Sequence, residues 1–231
     1  MESNLFLRCI PQLKRLLSLD EKIRAQRFIF EQHRKSYIIS RGILRVLLGR
    51  YMNKAADQID FRYGHKGKPF LSLKIKSPII FFNISHTKDI VLYAFASCRW
   101  IGVDVEYVQT SVGINEIAKR YFHFNEVKML RQAATEKRNQ IFYELWTCKE
   151  AYLKATGEGL SGLEKVEILK TNDDNISIKR HDPVDNELSE WRFYQLEPKP
   201  GYTGALVIKG TNWNLKYYNI QYEVLMSTLR I

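Results

Sequence analysis

The stretch Ile101-Gly102-Val103-Asp104-Val105-Glu106 decides the reading of the fold. Its β-branched, alternating character is that of a strand, in which successive side chains point to opposite faces. Val103 and Val105 then enter a core, while Asp104 and Glu106 share the other face, about 7 Å apart. Two carboxylates at that spacing repel unless a cation lies between them, and hard oxygen donors suit Mg2+. For the hexamer alone, a strand with a solvated acidic edge is the plainer account.

Residues 78–84, 89–97 and 100–108 all carry strand chemistry, so the hexamer closes a run of short strands. Before that run, His65-Lys66-Gly67-Lys68-Pro69 reads as a turn, and two segments read as helices, 20–31 and 36–52. In the second of these, Ile39, Ile43, Leu47 and Tyr51 fall four apart. Downstream the order recurs. Helical patterns cover 114–131, with a break near His123, and 137–156. Strand-like runs follow at 164–169, 176–180, 190–196 and 202–208, with a polar segment, 171–189, read as a hairpin or surface loops. Helices then strands, twice over, predict an α+β fold of two similar halves, 1–108 and 109–231, with a seam near 105–112.

The 231 residues are 45% hydrophobic with 12 Gly and 6 Pro, which excludes a disordered or collagen-like chain. No apolar run approaches the roughly 20 residues that span a bilayer, and no secretory leader pattern opens the chain. The expectation is a soluble, cytoplasmic protein. Cys9, Cys98 and Cys148 are odd in number and far apart, against a disulfide framework or a zinc knuckle. His33, His65, His86, His123 and His181 are scattered and predict no metal-ligand cluster. The net charge of +11 is uneven: residues 1–108 hold 19 basic and 9 acidic side chains, residues 109–231 hold 17 and 16. A basic first half suggests an anionic partner there, be it nucleic acid, a phosphate-rich ligand or an acidic protein.

Two further stretches could carry chemistry. In Trp146-Thr147-Cys148-Lys149-Glu150-Ala151-Tyr152-Leu153-Lys154-Ala155-Thr156-Gly157, a helix places Trp146, Glu150 and Lys154 on one stripe, and Gly157 ends it. A solvated Glu→Lys pair is the plain account. A large Trp on the same stripe argues instead for a packed face, where an acid and an ammonium fit a metal ligand beside a phosphate. Cys148 reads as a packed residue, since no histidine is spaced to activate it. In Phe82-Asn83-Ile84-Ser85-His86-Thr87, Ser85 and His86 end a strand where a hydroxyl and an imidazole could meet an anion. No G-x-S-x-G elbow surrounds Ser85, so a hydrolase dyad is disfavoured.

Taken in order, F-N-x-S-H, G-V-D-V-E and W-x-x-K-E-A-x-x-K-x-x-G-x-G-L resemble the Sfp-type 4′-phosphopantetheinyl transferases, and look nearest to the cyanobacterial members. Gly67-Lys68-Pro69 matches that family's G-K-P element, and Ser40-Arg41-Gly42-Ile43-Leu44-Arg45 its basic helix. The match runs from about Asp20 to Leu160. It implies a pseudo-dimer of two α+β halves with the active site at their interface. It also implies Mg2+-dependent transfer of the phosphopantetheine arm of coenzyme A to a serine of an apo acyl- or peptidyl-carrier protein, releasing adenosine 3′,5′-bisphosphate. By the same resemblance Asp104, Glu106 and Glu150 hold the metal, and Glu150, Lys154 and His86 serve the chemistry. Ser85, His86 and Lys154 contact phosphates, and Gly67 and Lys68 line the nucleotide site. Arg41 and Arg45 belong to the coenzyme side, with Arg41, Lys22 and Arg24 as alternatives for the 3′-phosphate. The basic half 1–108 becomes the nucleotide side, and 109–231 carries the metal and base helix. The implied partners are coenzyme A and the carrier protein, with no nucleic acid or membrane, and the expected state of the protein is a monomer. Two other classes compete: a nucleic-acid binder, for which no reader motif is present, and a catalytically silent relative.

Overall fold

The computed structural model describes residues 6–72, 79–97, 99–110, 113–170, 175–182 and 190–220. Cys98, the start of the strand expected over 78–84, and most of the polar segment 171–189 lie outside them. By contacts the chain forms two compact units, one of Met1–Phe61, Leu71–Pro78 and Trp213–Ile231, the other of Arg62–Phe70 and Ile79–Asn212. These are not the sequence halves 1–108 and 109–231. The strands that close the first half are built into the same unit as the long helix and strands of the second.

The first unit holds three helices, α1 (Ile10–Leu16), α2 (Leu19–Gln26) and α3 (Glu31–Met52). The sequence pattern over 20–31 reads as one helix, but α2 stops at Gln26, and α3 starts afresh after an extended Phe30. Ser18 and Glu21 make a reciprocal capping box at the start of α2. α1 crosses α3 at Gly42, where a Cβ would meet the Leu13 Cβ at 2.7 Å. Leu13, Leu44 and Leu48 are fully buried around that crossing.

The second unit opens with most of the hairpin β1 (Phe61–Tyr63) and β2 (Pro69–Leu71), whose tight turn needs Gly67 at φ 78°. β3 (Ile80–Thr87) and β4 (Ile90–Ser97) form an antiparallel hairpin, with Ser85 opposite Leu92 and His86 opposite Val91. β5 (Ile101–Tyr107) is an edge strand of an antiparallel sheet in the order β5-β9-β8, where β8 is Trp191–Leu196 and β9 is Tyr202–Lys209. Asp104 pairs with Ala205 and Glu106 with Thr203. β6 (Val166–Lys170) and β7 (Ile176–Arg180) make a separate hairpin. Helices α4 (Ile114–Tyr121), α5 (Phe124–Gln132) and α6 (Thr135–Thr156) complete the unit. The expected break near His123 is the boundary between α4 and α5, with His123 as N-cap.

The contact between α6 and β5 sets the geometry of everything that follows. A Cβ on Gly102 would lie 1.9 Å from the Ala151 carbonyl oxygen and 2.7 Å from the Ala155 nitrogen. The helix therefore rests its backbone on the strand, which is possible only with glycine there. Leu145, Cys148, Ala151, Leu153 and Ala155 fill the interior side of α6 at zero exposure. Gly157, left-handed at φ 82°, ends the helix, its N–H donating to the Leu153 carbonyl. None of the described helices is long and apolar enough to cross a membrane.

Candidate active site

β3, β5 and α6 bring Ser85, Asp104, Glu106, Glu150 and Lys154 together. β5 is held beside β3 by side chains: the Val103 N–H donates to Asn83 Oδ1 at 3.0 Å, Ser85 Oγ to Asp104 Oδ1 at 2.7 Å, and Thr87 Oγ1 to Glu106 Oε2 at 3.2 Å. Val103 and Val105 are buried as the alternation predicts, but Asp104 is buried too, at 3% exposure. The acidic edge is therefore not solvated.

Lys154 does not pair with Glu150, four residues before it on α6. Its Nζ donates to Asp104 Oδ1 at 2.6 Å and to Ser85 Oγ at 2.9 Å. Asp104 Oδ2 is buried with no hydrogen-bond partner. An orphaned carboxylate oxygen inside a protein costs on the order of 1–3 kcal/mol, more when charged, and asks for a cation or a proton. Burial, then repulsion from Asp104 and Glu106 against the pull of Lys154, raises the Glu150 carboxyl from 4.5 to about 7. Burial and the Asp104 charge also raise Glu106, against its bond from Thr87 and the field of Lys154. Three carboxylates, one with an unpartnered buried oxygen and two pushed towards protonation, could hold a hard divalent cation.

A cleft of about 220 Å3 opens beside this group, lined by Lys66, Gly67, Lys68, Asn83, Glu150 and Lys154 among others. Lys68 crosses to the end of α6, where its Nζ donates to the Ala155 carbonyl at 2.7 Å, and burial lowers its pKa to about 8. A second cavity, of about 280 Å3, is lined by residues of α4 to α6, including Lys119, Arg131 and Arg138, and by none of the carboxylates.

Comparison with known proteins follows the same chain segments. The model of the 4′-phosphopantetheinyl transferase superfamily matches residues 101–207, and that of the N-terminal region of 4′-phosphopantetheinyl transferases matches residues 8–98. The 4′-phosphopantetheinyl transferase HetI of Nostoc sp. is 35% identical over 210 residues, covering 91% of this chain and 86% of its own. The chain belongs to the 4′-phosphopantetheinyl transferases. A putative 4′-phosphopantetheinyl transferase of Synechocystis sp. is 36% identical over 79% of this chain and 73% of its own. The 4′-phosphopantetheinyl transferase Sfp of Bacillus subtilis is 28% identical over 91% and 90%.

Within this phosphopantetheinyl transferase the residues singled out in sequence separate into three groups. Asp104, Glu106, Glu150, Lys154, Ser85, Gly67 and Lys68 lie around the cleft and its carboxylates. His86, adjacent to Ser85 on β3, projects from the opposite face of the strand and is exposed. Ser85 is 5% exposed and turned inward, its hydroxyl donating to Asp104 and accepting from Lys154.

Arg41, Arg45, Lys22 and Arg24 belong to the first unit. Arg45 is held by protein groups. At 1% exposure, its Nε donates to Glu21 Oε2 at 2.6 Å and its Nη1 to the Ala56 and Ile59 carbonyls at 3.1 and 2.9 Å, so it ties α2 and α3 to the chain after them. Arg41 lies with Nε 3.1 Å from Glu21 Oε1. Arg24 and Arg41 both stand 5.9 Å from the centre of the Tyr37 ring, while Lys22 is half-buried beside Glu21 in sequence.

Several functional supports escaped the sequence. Asn83 and Thr87 fix β5 and Glu106, a role hidden because it depends on cross-strand register. Lys149, fully buried next to Glu150, pairs with Glu126 at 2.8 Å and donates to the Leu163 and Val166 carbonyls at 3.1 and 2.5 Å. Its position one step off the Trp146–Glu150–Lys154 stripe was the signal available. Cys148 is the packed thiol expected, its pKa pushed up to about 12 by burial.

Proposed function

We propose that this protein transfers the 4′-phosphopantetheine arm of coenzyme A to a serine hydroxyl of an apo carrier protein, with adenosine 3′,5′-bisphosphate leaving. The single observation that carries the reading is the buried, unpartnered Asp104 Oδ2 beside Glu106 and Glu150, with Lys154 on the other oxygen of Asp104. Asp104, Glu106 and Glu150 would hold Mg2+, which supplies charge neutralisation on a pyrophosphate.

The chain's own residues account for the rest. Attack by the carrier serine forms a bond from its oxygen to the β-phosphorus and breaks the bond to the bridging oxygen, so the serine proton must be accepted and the leaving phosphate must gain charge. Glu150, whose carboxyl burial raises to about 7 when no cation is bound, is the group placed to take that proton. Lys154, held in place by Asp104 and Ser85, offers its remaining N–H to the phosphate oxygens. Lys68 and the Gly67 backbone line the cleft for the nucleotide end, and exposed His86 belongs with the outer phosphates rather than with the bond being broken. Arg41, Arg24 and Lys22 remain the alternatives for the 3′-phosphate.

The pseudo-dimer reading has two supports. Each sequence half contains one helix of 22 residues followed by antiparallel strands. Ser85, Asp104 and Glu106 come from residues 1–108, whereas Glu150 and Lys154 come from 109–231. The active site on this reading draws on both halves. The basic side chains of 1–108 favour encounter with coenzyme A and with an acidic carrier surface.

The deciding experiment is mass spectrometry of an apo carrier protein incubated with the protein, coenzyme A and Mg2+. A gain of one phosphopantetheine arm that disappears with EDTA supports the reading. No gain on acyl, peptidyl or polyketide carriers, with coenzyme A still bound, would make the protein a silent relative.

A further inference from the structure

The histidines that look scattered in sequence are not all scattered in space. His123, Glu167 and His181 bring one ligand atom each to within 4.8 Å of one another. His123 is the N-cap of α5, Glu167 stands on β6, and His181 directly follows β7 on the same face of the hairpin, so three elements meet here. Glu167 is buried at 2% of its side chain, while His123 and His181 keep 27% and 30% exposed, leaving an open side to solvent.

We propose that His123, Glu167 and His181 form a second metal site, for zinc, distinct from the Asp104–Glu106–Glu150 group.

Two imidazoles and a carboxylate are a donor set that selects zinc over magnesium, and three protein ligands leave a fourth position for water. Ligands 2.0–2.1 Å from a tetrahedral zinc stand about 3.3 Å from one another. Here His123 Nδ1 lies 3.2 Å from Glu167 Oε1 and His181 Nε2 2.8 Å from Glu167 Oε2, and one atom from each residue falls within 4.8 Å of the others, so the side chains would draw closer to share one cation. The two rings stack in parallel with centroids 4.2 Å apart, and each presents a ring nitrogen to the carboxylate. Binding a metal through His123 Nδ1 would give up the Asn125 N–H, a long contact at 3.4 Å. The carboxylate is already oriented from behind, since Asn125 Nδ2 donates to Glu167 Oε1 at 2.7 Å. Zinc here fastens the start of α5 to the β6–β7 hairpin, and none of its ligands lines the cleft.

The test is calorimetric titration of EDTA-stripped, full-length protein with ZnCl2 in saturating Mg2+, so that hard oxygen sites are filled. One equivalent of Zn2+ should bind, and the melting temperature should rise with it. His123→Asn keeps an N-cap acceptor and His181→Gln keeps a donor to Glu167, so both variants should fold. Each should weaken zinc binding at least about tenfold, the loss that even outer-shell partners of a metal produce. Asp104→Asn should retain the equivalent. The proposal is overturned if no stoichiometric zinc binds, if both histidine variants bind as the parent does, or if Asp104→Asn abolishes the equivalent instead.

Discussion

Replacing Glu150 by Gln should change how stability depends on pH before it changes anything else. Without a metal, burial and the Asp104 charge raise the Glu150 carboxyl from 4.5 to about 7. The folded protein therefore holds a proton that the unfolded chain has already released. The resulting stability is fully present below 4.5 and is lost as the pH rises through 7. A shift of that size corresponds to about 3 kcal/mol in a fully buried site, reduced here to roughly 1–2 kcal/mol because part of the side chain meets solvent. Glu150→Gln carries no titrating group and escapes the loss. Urea denaturation in EDTA at about pH 4.5 and about pH 8 should show the parent losing some 1–2 kcal/mol more than the variant between the two. Glu106, raised in the same direction, titrates in both proteins and largely cancels from the comparison. At the higher pH, Mg2+ should restore stability to the parent more than to the variant. Parallel pH profiles for the two proteins in EDTA would refute the argument that Glu150 is strained.

Three other outcomes follow from the geometry. Gly102→Ala forces a methyl against the Ala151 carbonyl, and equilibrium denaturation should report a loss of at least about 3 kcal/mol, the upper range of overpacking. Lys149→Met strands Glu126 and several carbonyls in the interior and should cost about 3–5 kcal/mol by the same assay, while Cys148 beside it stays unreactive to thiol reagents in the folded parent. Lys154→Met should lower kcat for carrier modification by about 10²–10³, with a smaller effect on the KM for the carrier. A purely structural role for Lys154 would instead appear as lost stability with kcat intact.

The long helices were legible because their apolar residues recur at helical spacing and because Gly157 supplies a stop. The alternation of Val103 and Val105 with Asp104 and Glu106 likewise gave the strand and its shared carboxylate face. What the sequence withheld was whatever depends on distant partners. Ile10–Leu16 is too short to display a period, and the helix pattern over 20–31 gives no sign of the extended Phe30 that divides it. Arg45 looks in sequence like any base of a basic helix, and only its contacts with Glu21, Ala56 and Ile59 make it a buried strut. His123 and His181 are far apart in the chain: the pairing of β6 with β7 sets His181 beside Glu167, and bonds from Asn125 to Glu167 and from the Ile168 N–H to Glu126 bring the start of α5 there.

The seat of α6 on Gly102 also bears on how such a site can change over time. Backbone against backbone leaves no side chain in the gap to lengthen or trim, so the separation between β5 and α6 is a fixed gauge, with Asp104 and Glu106 on one jaw and Glu150 and Lys154 on the other. Substitutions elsewhere can reshape the cleft walls at Lys66 or Ile84 and so alter what is admitted, without moving the jaws. A scaffold of that kind permits preferences among substrates to drift while the reacting groups keep their spacing.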